Sequence, residues 1–122
     1  TGFGFFGHAL EMAKGSQVVM TIYASRVPIL AAAREFASIG LVPAGSFANR
    51  NFCVSHLEVS PGIDPLMLDL LSDTQTNGGL FLAVDPAAAP EVVDGFRAAG
   101  RTAATVVGEV TGRGKGVIRV EG

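Results

Sequence analysis

An α/β fold (α+β in its ordering), with a mixed sheet packed by helices, is what this 122-residue chain predicts. Three observations carry it. Segments with helical periodicity alternate with short strands, several of those strands are apolar on both faces, and the last two strands are joined by a short glycine-rich connection that makes a purely parallel sheet unfit. The length suits one domain with a sizeable core. With 48% hydrophobic residues, 16% charged and a net charge of -2, the chain reads as globular, which excludes a disordered segment and a basic nucleic-acid surface. So low a charge fraction suits a domain whose apolar surface meets another domain or subunit, although an alanine-rich monomer fits the composition as well.

The first element is a glycine-rich turn, Thr1-Gly2-Phe3-Gly4-Phe5-Phe6-Gly7-His8, running directly into a helix over 5–14 whose apolar face is Phe5, Phe6, Ala9, Leu10 and Ala13. Gly15 is the expected stop, being the residue best able to take a left-handed cap. Glycines let the backbone approach a ligand closely, and the first N–H groups of a helix lack internal partners at the positive end of its dipole, so Thr1, Gly2, Phe3 and Gly4 form a natural seat for phosphate. The spacing matches neither the P-loop nor the dinucleotide fingerprint. His8 reads as a structural hydrogen-bonding group.

Residues 17–23 alternate as a strand covered on both sides, with Val18, Met20 and Ile22 on one face. A helix follows, with Pro28 in its first turn, Ile29, Leu30, Ala33, Phe36 and Ala37 as the buried stripe and Gly40 as its cap. Residues 43–52 read as the longest irregular stretch, in which Asn49 and Arg50 are either part of a solvated loop or within reach of a phosphate. Cys53 reads as a small buried apolar residue, since it has no second cysteine and no clear histidine partner. Residues 54–60 form a short strand; His56 and Glu58 share a face, but two candidate ligands make a poor metal site.

Asp64 caps the next helix, with Pro65 at its first position and Leu66, Met67, Leu70 and Leu71 inward. The polar turn Asp73-Thr74-Gln75-Thr76-Asn77-Gly78-Gly79 then leads to an apolar strand over 80–84. Asp73, Gln75, Thr76 and Asn77 thereby gather at one end of the sheet, where they either bond a ligand and the first glycine turn or simply cap a loop. A helix over 87–99 buries Val92, Val93 and Phe96 and stops at Gly100. Strands over 106–110 and 117–120 close the chain as a hairpin across Thr111-Gly112-Arg113-Gly114-Lys115-Gly116, whose cations read as a solvated turn.

The single cysteine allows no internal disulfide and fits a reducing compartment, and there is neither a signal peptide nor an apolar run of the ~18 residues a membrane span needs. The expectation is a soluble, cytoplasmic protein with no nucleic-acid or membrane partner. Because the sequence opens at Thr1 inside its most informative motif, it reads as an excised or partly observed domain.

Taken together, the Thr-Gly-Phe-Gly-Phe-Phe-Gly-His-Ala-Leu-Glu-Met segment and the Asp-Thr-Gln-Thr-Asn-Gly-Gly segment resemble the carboxyl-terminal half of the selenophosphate synthetase (selenide, water dikinase) family. Gly40 to Gly45 and Asn49-Arg50 also match, so the resemblance covers nearly the whole chain. It implies a single carboxyl-terminal domain of the aminoimidazole ribonucleotide synthetase type over 1–122, a three-layer mixed sheet with partial likeness to a ferredoxin fold, and an amino-terminal catalytic domain outside this chain. It further implies a dimeric ATP-dependent enzyme that uses ATP, Mg2+, selenide and water, in which Thr1, Gly2, Phe3 and Gly4 line the phosphate site. Asp73, Gln75, Thr76, Asn77, Gly78 and Gly79 would support that site, and Asn49 and Arg50 are possible phosphate contacts. No catalytic residue or metal ligand falls on this chain. Thr74 and Asn77 stand where the family usually has proline and serine. The alternatives are a relative of the aminoimidazole ribonucleotide synthetase or hydrogenase-maturation type, or a non-catalytic interaction module.

Overall fold

The computed structural model describes residues 2–122, with α1 Gly4–Ser16, β1 Val18–Tyr23, α2 Ala31–Ser38, α3 Ala44–Cys53, β2 Leu57–Val59, α4 Pro65–Leu71, α5 Ala89–Ala98, β3 Gly108–Arg113 and β4 Val117–Glu121. The four strands form one mixed sheet in the order β2-β4-β1-β3. β1 runs parallel to β4 and antiparallel to β3, and β2 runs parallel to β4. α1 lies on the sheet against β1 and β4, and α3 and α4 pack on α1.

β1 is central because it is apolar on both faces: Met20 and Ile22 are buried with Ile118 and Val120 of β4, and even Thr21 on the other side is buried. The core continues through Phe6, Ala9, Leu10 and Ala13 of α1 and Met67, Leu68, Leu70 and Leu71 of α4, as the apolar spacing of those helices requires. The start of α4 follows its sequence signals: Asp64 accepts a hydrogen bond from the Leu66 N–H at 2.9 Å, with Pro65 in the first turn.

Several expectations are corrected. β3 and β4 are not a hairpin, because β1 is inserted between them and pairs with each. Residues 43–52 are not a loop but mostly α3; Gly45, Ser46, Asn49 and Asn51 are poor helix formers, and packing on α1 and α4 overrides their propensity. Residues 80–84 form no strand. Only Phe81 is partly covered, edge-on to Phe5 at 4.9 Å between ring centres, while Leu80 is 78% exposed.

Smaller shifts have similar causes. α1 continues past Gly15, and Gln17 takes the left-handed cap at φ 53°, where its carbonyl receives the Gly114 N–H at 2.9 Å. α2 begins at Ala31, which leaves Pro28, Ile29 and Leu30 outside it, and Leu30 and Phe36 of the expected buried stripe are exposed. The expected strand over 54–60 is a 3-10 turn, Val54–His56, followed by the short β2, where Glu58 pairs with Arg119 at 2.8 Å. Among the described residues, no helix is long and apolar enough to cross a membrane.

Candidate functional site: the glycine turn at the start of helix α1

Gly4 determines the geometry here. Its φ is +66°, and a Cβ built on it would stand 2.5 Å from the Ser72 carbonyl oxygen and 2.9 Å from that of Asp73. The opening turn is therefore seated directly on the backbone at the end of α4, a contact that only glycine permits. Phe3 folds back over Gly7, where a Cβ would be 2.7 Å from Phe3 Cβ, and its ring meets His8 edge-on at 5.8 Å. His8 is exposed and lies 3.3 Å from Glu11, its partner one turn on.

Asn49 ties the two segments together. Its side-chain nitrogen donates to the carbonyl oxygens of Gly2 and, at 3.0 Å, of Ser72. One turn earlier on the same face of α3, the buried Ser46 hydroxyl donates to Asp73 Oδ1 at 2.6 Å. Gly45 admits the Thr74 methyl group, which would lie 3.1 Å from a Cβ at that position. Ser72 is itself fixed by its hydroxyl, which donates to the Leu68 carbonyl at 2.8 Å. Arg50, next along α3, pairs with Asp69 of α4 at 2.7 Å. The guanidinium is thus engaged in holding α3 to α4.

The structure brings the opening turn against Ser72 and Asp73, and sequence reasoning missed the helix that joins them. Gly45, Ser46, Asn49 and Arg50 have the spacing of one helix face, and that signal is hidden when 43–52 is read as a loop. Asn49 orients the turn through its carbonyls, and Gln75, Thr76, Asn77, Gly78 and Gly79 lie exposed beyond Thr74. Thr1 lies outside the described residues.

Among the described residues, no side chain caps the start of α1 and no acidic residue sits in its first turn, and a Cβ at Gly2 would meet nothing within 4 Å. Among the described residues, no group of three or more His, Cys, Asp or Glu side chains could hold a metal ion.

The sequence profile of "AIR synthase related protein, C-terminal domain" matches residues 1–121. The chain belongs to this family. Within the AIR synthase-related C-terminal domains, relatives named "Selenide, water dikinase" are similar to it. That of Nitratidesulfovibrio vulgaris (strain Miyazaki F) is 48% identical over 86 residues, 70% of this chain and 25% of the relative. "Selenide, water dikinase 2" of Peptoclostridium acidaminophilum is 42% identical over 110 residues, 90% of this chain and 31% of the relative. The Clostridioides difficile protein is 39% identical over 120 residues, 98% of this chain and 34% of the relative. The chain therefore spans a quarter to a third of the length of the relatives it matches. The mixed sheet with stacked helices is the architecture expected of an AIR synthase-related C-terminal domain.

Cys53, at the end of α3, is fully buried, and burial pushes its thiol up, with Lys14 pulling weakly the other way. A thiol held neutral is a poor nucleophile. Because its folded pKa lies above its unfolded value, the associated stability is complete below about pH 8.5 and is lost as pH rises through the folded value. Iodoacetamide at pH 8 is expected to label Cys53 at least tenfold more slowly in the native chain than in urea; equal rates would contradict the buried placement.

Proposed function

We propose that this chain is the carboxyl-terminal domain of a selenide, water dikinase, an enzyme that makes selenophosphate from ATP, selenide and water. In this reading it supplies the phosphate-facing wall of the ATP site. The observation that carries the reading is the seating of Gly4 on the Ser72–Asp73 backbone, locked by Asn49, at a helix start that no side chain caps. Backbone donors placed in advance stabilise phosphate oxygens without reorganising during the reaction. Thr1, Gly2, Phe3 and Gly4 contact the phosphates, while Asp73 and Asn49 fix the turn, and Gln75, Thr76, Asn77, Gly78 and Gly79 border its mouth.

Bound magnesium would supply charge neutralisation during phosphoryl transfer. In this reading the chain serves the phosphates, and the metal's ligands are assigned to the amino-terminal domain, since among the described residues no group of three or more His, Cys, Asp or Glu could hold the ion. That domain, a second copy of the enzyme, selenide and ATP are the partners in this reading, and the cytoplasm is its compartment.

In the full-length protein, Asn49→Ala is expected to lower kcat/KM for ATP by about tenfold or more, roughly 1.4 kcal/mol at the transition state, and to leave the urea midpoint of the domain within about 1 M of wild type. An unchanged kcat/KM would remove Asn49 from this role. The 122-residue chain by itself is expected to form no AMP from ATP and selenide. Selenide-dependent AMP formation by it would overturn the division of labour between the domains.

A further inference from the structure

The opposite end of α1 carries a second feature. A cavity of about 370 Å3 opens there, lined by Lys14, Gln17, Arg113, Gly114 and Lys115. It is an open cleft with more room than one tetrahedral anion fills. The helix has 13 residues, so at about 1.5 Å per residue this cavity lies roughly 20 Å from the glycine turn.

Three constraints fix its shape. Arg113 closes β3 opposite Val18, so the sheet sets its position beside Gln17. The Gly114 N–H donates to the Gln17 carbonyl at 2.9 Å, and a Cβ on Gly114 would be 2.6 Å from Val19 Cγ2. Gly116, buried and at φ +82°, backs onto α1 so closely that a Cβ would stand 2.3 Å from Lys14 Cγ and 2.8 Å from Lys14 Cα. The turn between β3 and β4 is thus pinned to the helix rather than free in solvent.

This construction gathers three cations on a chain whose net charge is -2. Among the described residues the ion pairs are His8–Glu11, Arg50–Asp69 and Arg119–Glu58, so none of the three is neutralised by a carboxylate. The Gln17 N–H covers the carbonyls of Ala13 and Lys14, and three full positive charges outweigh the roughly half-unit negative end of the helix dipole. Like charges held together without a counter-charge favour a ligand that carries several negative charges.

We propose that this cavity is a binding site for a small polyanion with two or more phosphate groups, separate from the phosphate seat at the start of α1. Arg113 supplies a two-point contact to phosphate oxygens, Lys14 and Lys115 supply point charges, and Gln17 supplies a neutral polar side chain. The lining holds no aromatic side chain on which bases would stack, which favours an oligophosphate over single-stranded nucleic acid.

The test is calorimetric titration of sodium tripolyphosphate into the full-length protein at 150 mM NaCl, alongside the exposed-site double variant R113Q/K115Q and N49A. Binding that weakens at least tenfold in R113Q/K115Q and is unchanged in N49A is the expected result, accompanied in wild type by amide NMR shifts at Gln17 and Gly114. The proposal is overturned by equal affinity in wild type and R113Q/K115Q, or by loss in N49A alone. It is equally overturned if sulfate at matched ionic strength binds as well, or if oligouridylate binds more tightly with increasing length.

Discussion

Gly4→Ala is expected to destabilise the domain by about 3 kcal/mol and to abolish nucleotide binding in the full-length protein. A left-handed φ costs an L-residue roughly 1–2 kcal/mol, and forcing a methyl group into packed surroundings typically costs about 1–3 kcal/mol more. At Gly4 both apply, because the φ is +66° and the methyl group would lie 2.5 Å from one carbonyl oxygen and 2.9 Å from another, neither on a flexible side chain. Gly40→Ala is the matched control: its φ is +85°, but a Cβ there meets nothing within 4 Å, so only the conformational cost of about 1 kcal/mol remains. With a urea slope of about 1–2 kcal/mol/M, the two variants should differ in midpoint by roughly 1 M or more. Equal midpoints would mean that the opening turn is not seated on the Ser72–Asp73 backbone.

Gly116→Ala is expected to cost as much by the same two routes. Its methyl group would collide with the backbone of Lys14 as well as its side chain, and relief requires α1 to lift from the turn that leads into β4. β4 supplies the fully buried Ile118 and Val120, so the disturbance reaches the centre of the core. Thermal unfolding is the measurement. A loss of about 3 kcal/mol corresponds to a Tm drop of roughly 10 °C in a domain of this size, and a drop under 3 °C would contradict the close contact. The two variants also separate in kind: Gly4→Ala acts on the nucleotide end of α1, and Gly116→Ala acts on the cationic end.

How far the sequence could be read depended on whether local pattern or tertiary contact decided each element. α1, β1 and α4 follow directly from periodicity, proline placement and capping, and the Asp64 cap forms as its spacing requires. α3 was not legible, because its glycine, serine and asparagines disfavour a helix that only packing on α1 and α4 stabilises. With α3 unseen, the roles of Ser46 and Asn49 were hidden too, although their spacing was in plain view. The apolar run over 80–84 misled in the opposite direction, since hydrophobicity without alternation does not distinguish a strand from an uncovered segment. The hairpin reading failed because adjacency in sequence says nothing about which strand is inserted between two others.

The position of β1 between β3 and β4 bears on how the domain is born. Within this domain β1 is the first strand to be made, yet both of its neighbours are made last of the four: Val19 must wait for Gly112 on one side and Val117 on the other. Until then the most apolar strand of the domain has two bare edges, the condition in which nascent chains aggregate or recruit chaperones. Such long-range closure also slows the search for the native state, so β3 and β4 act as the latch of the domain.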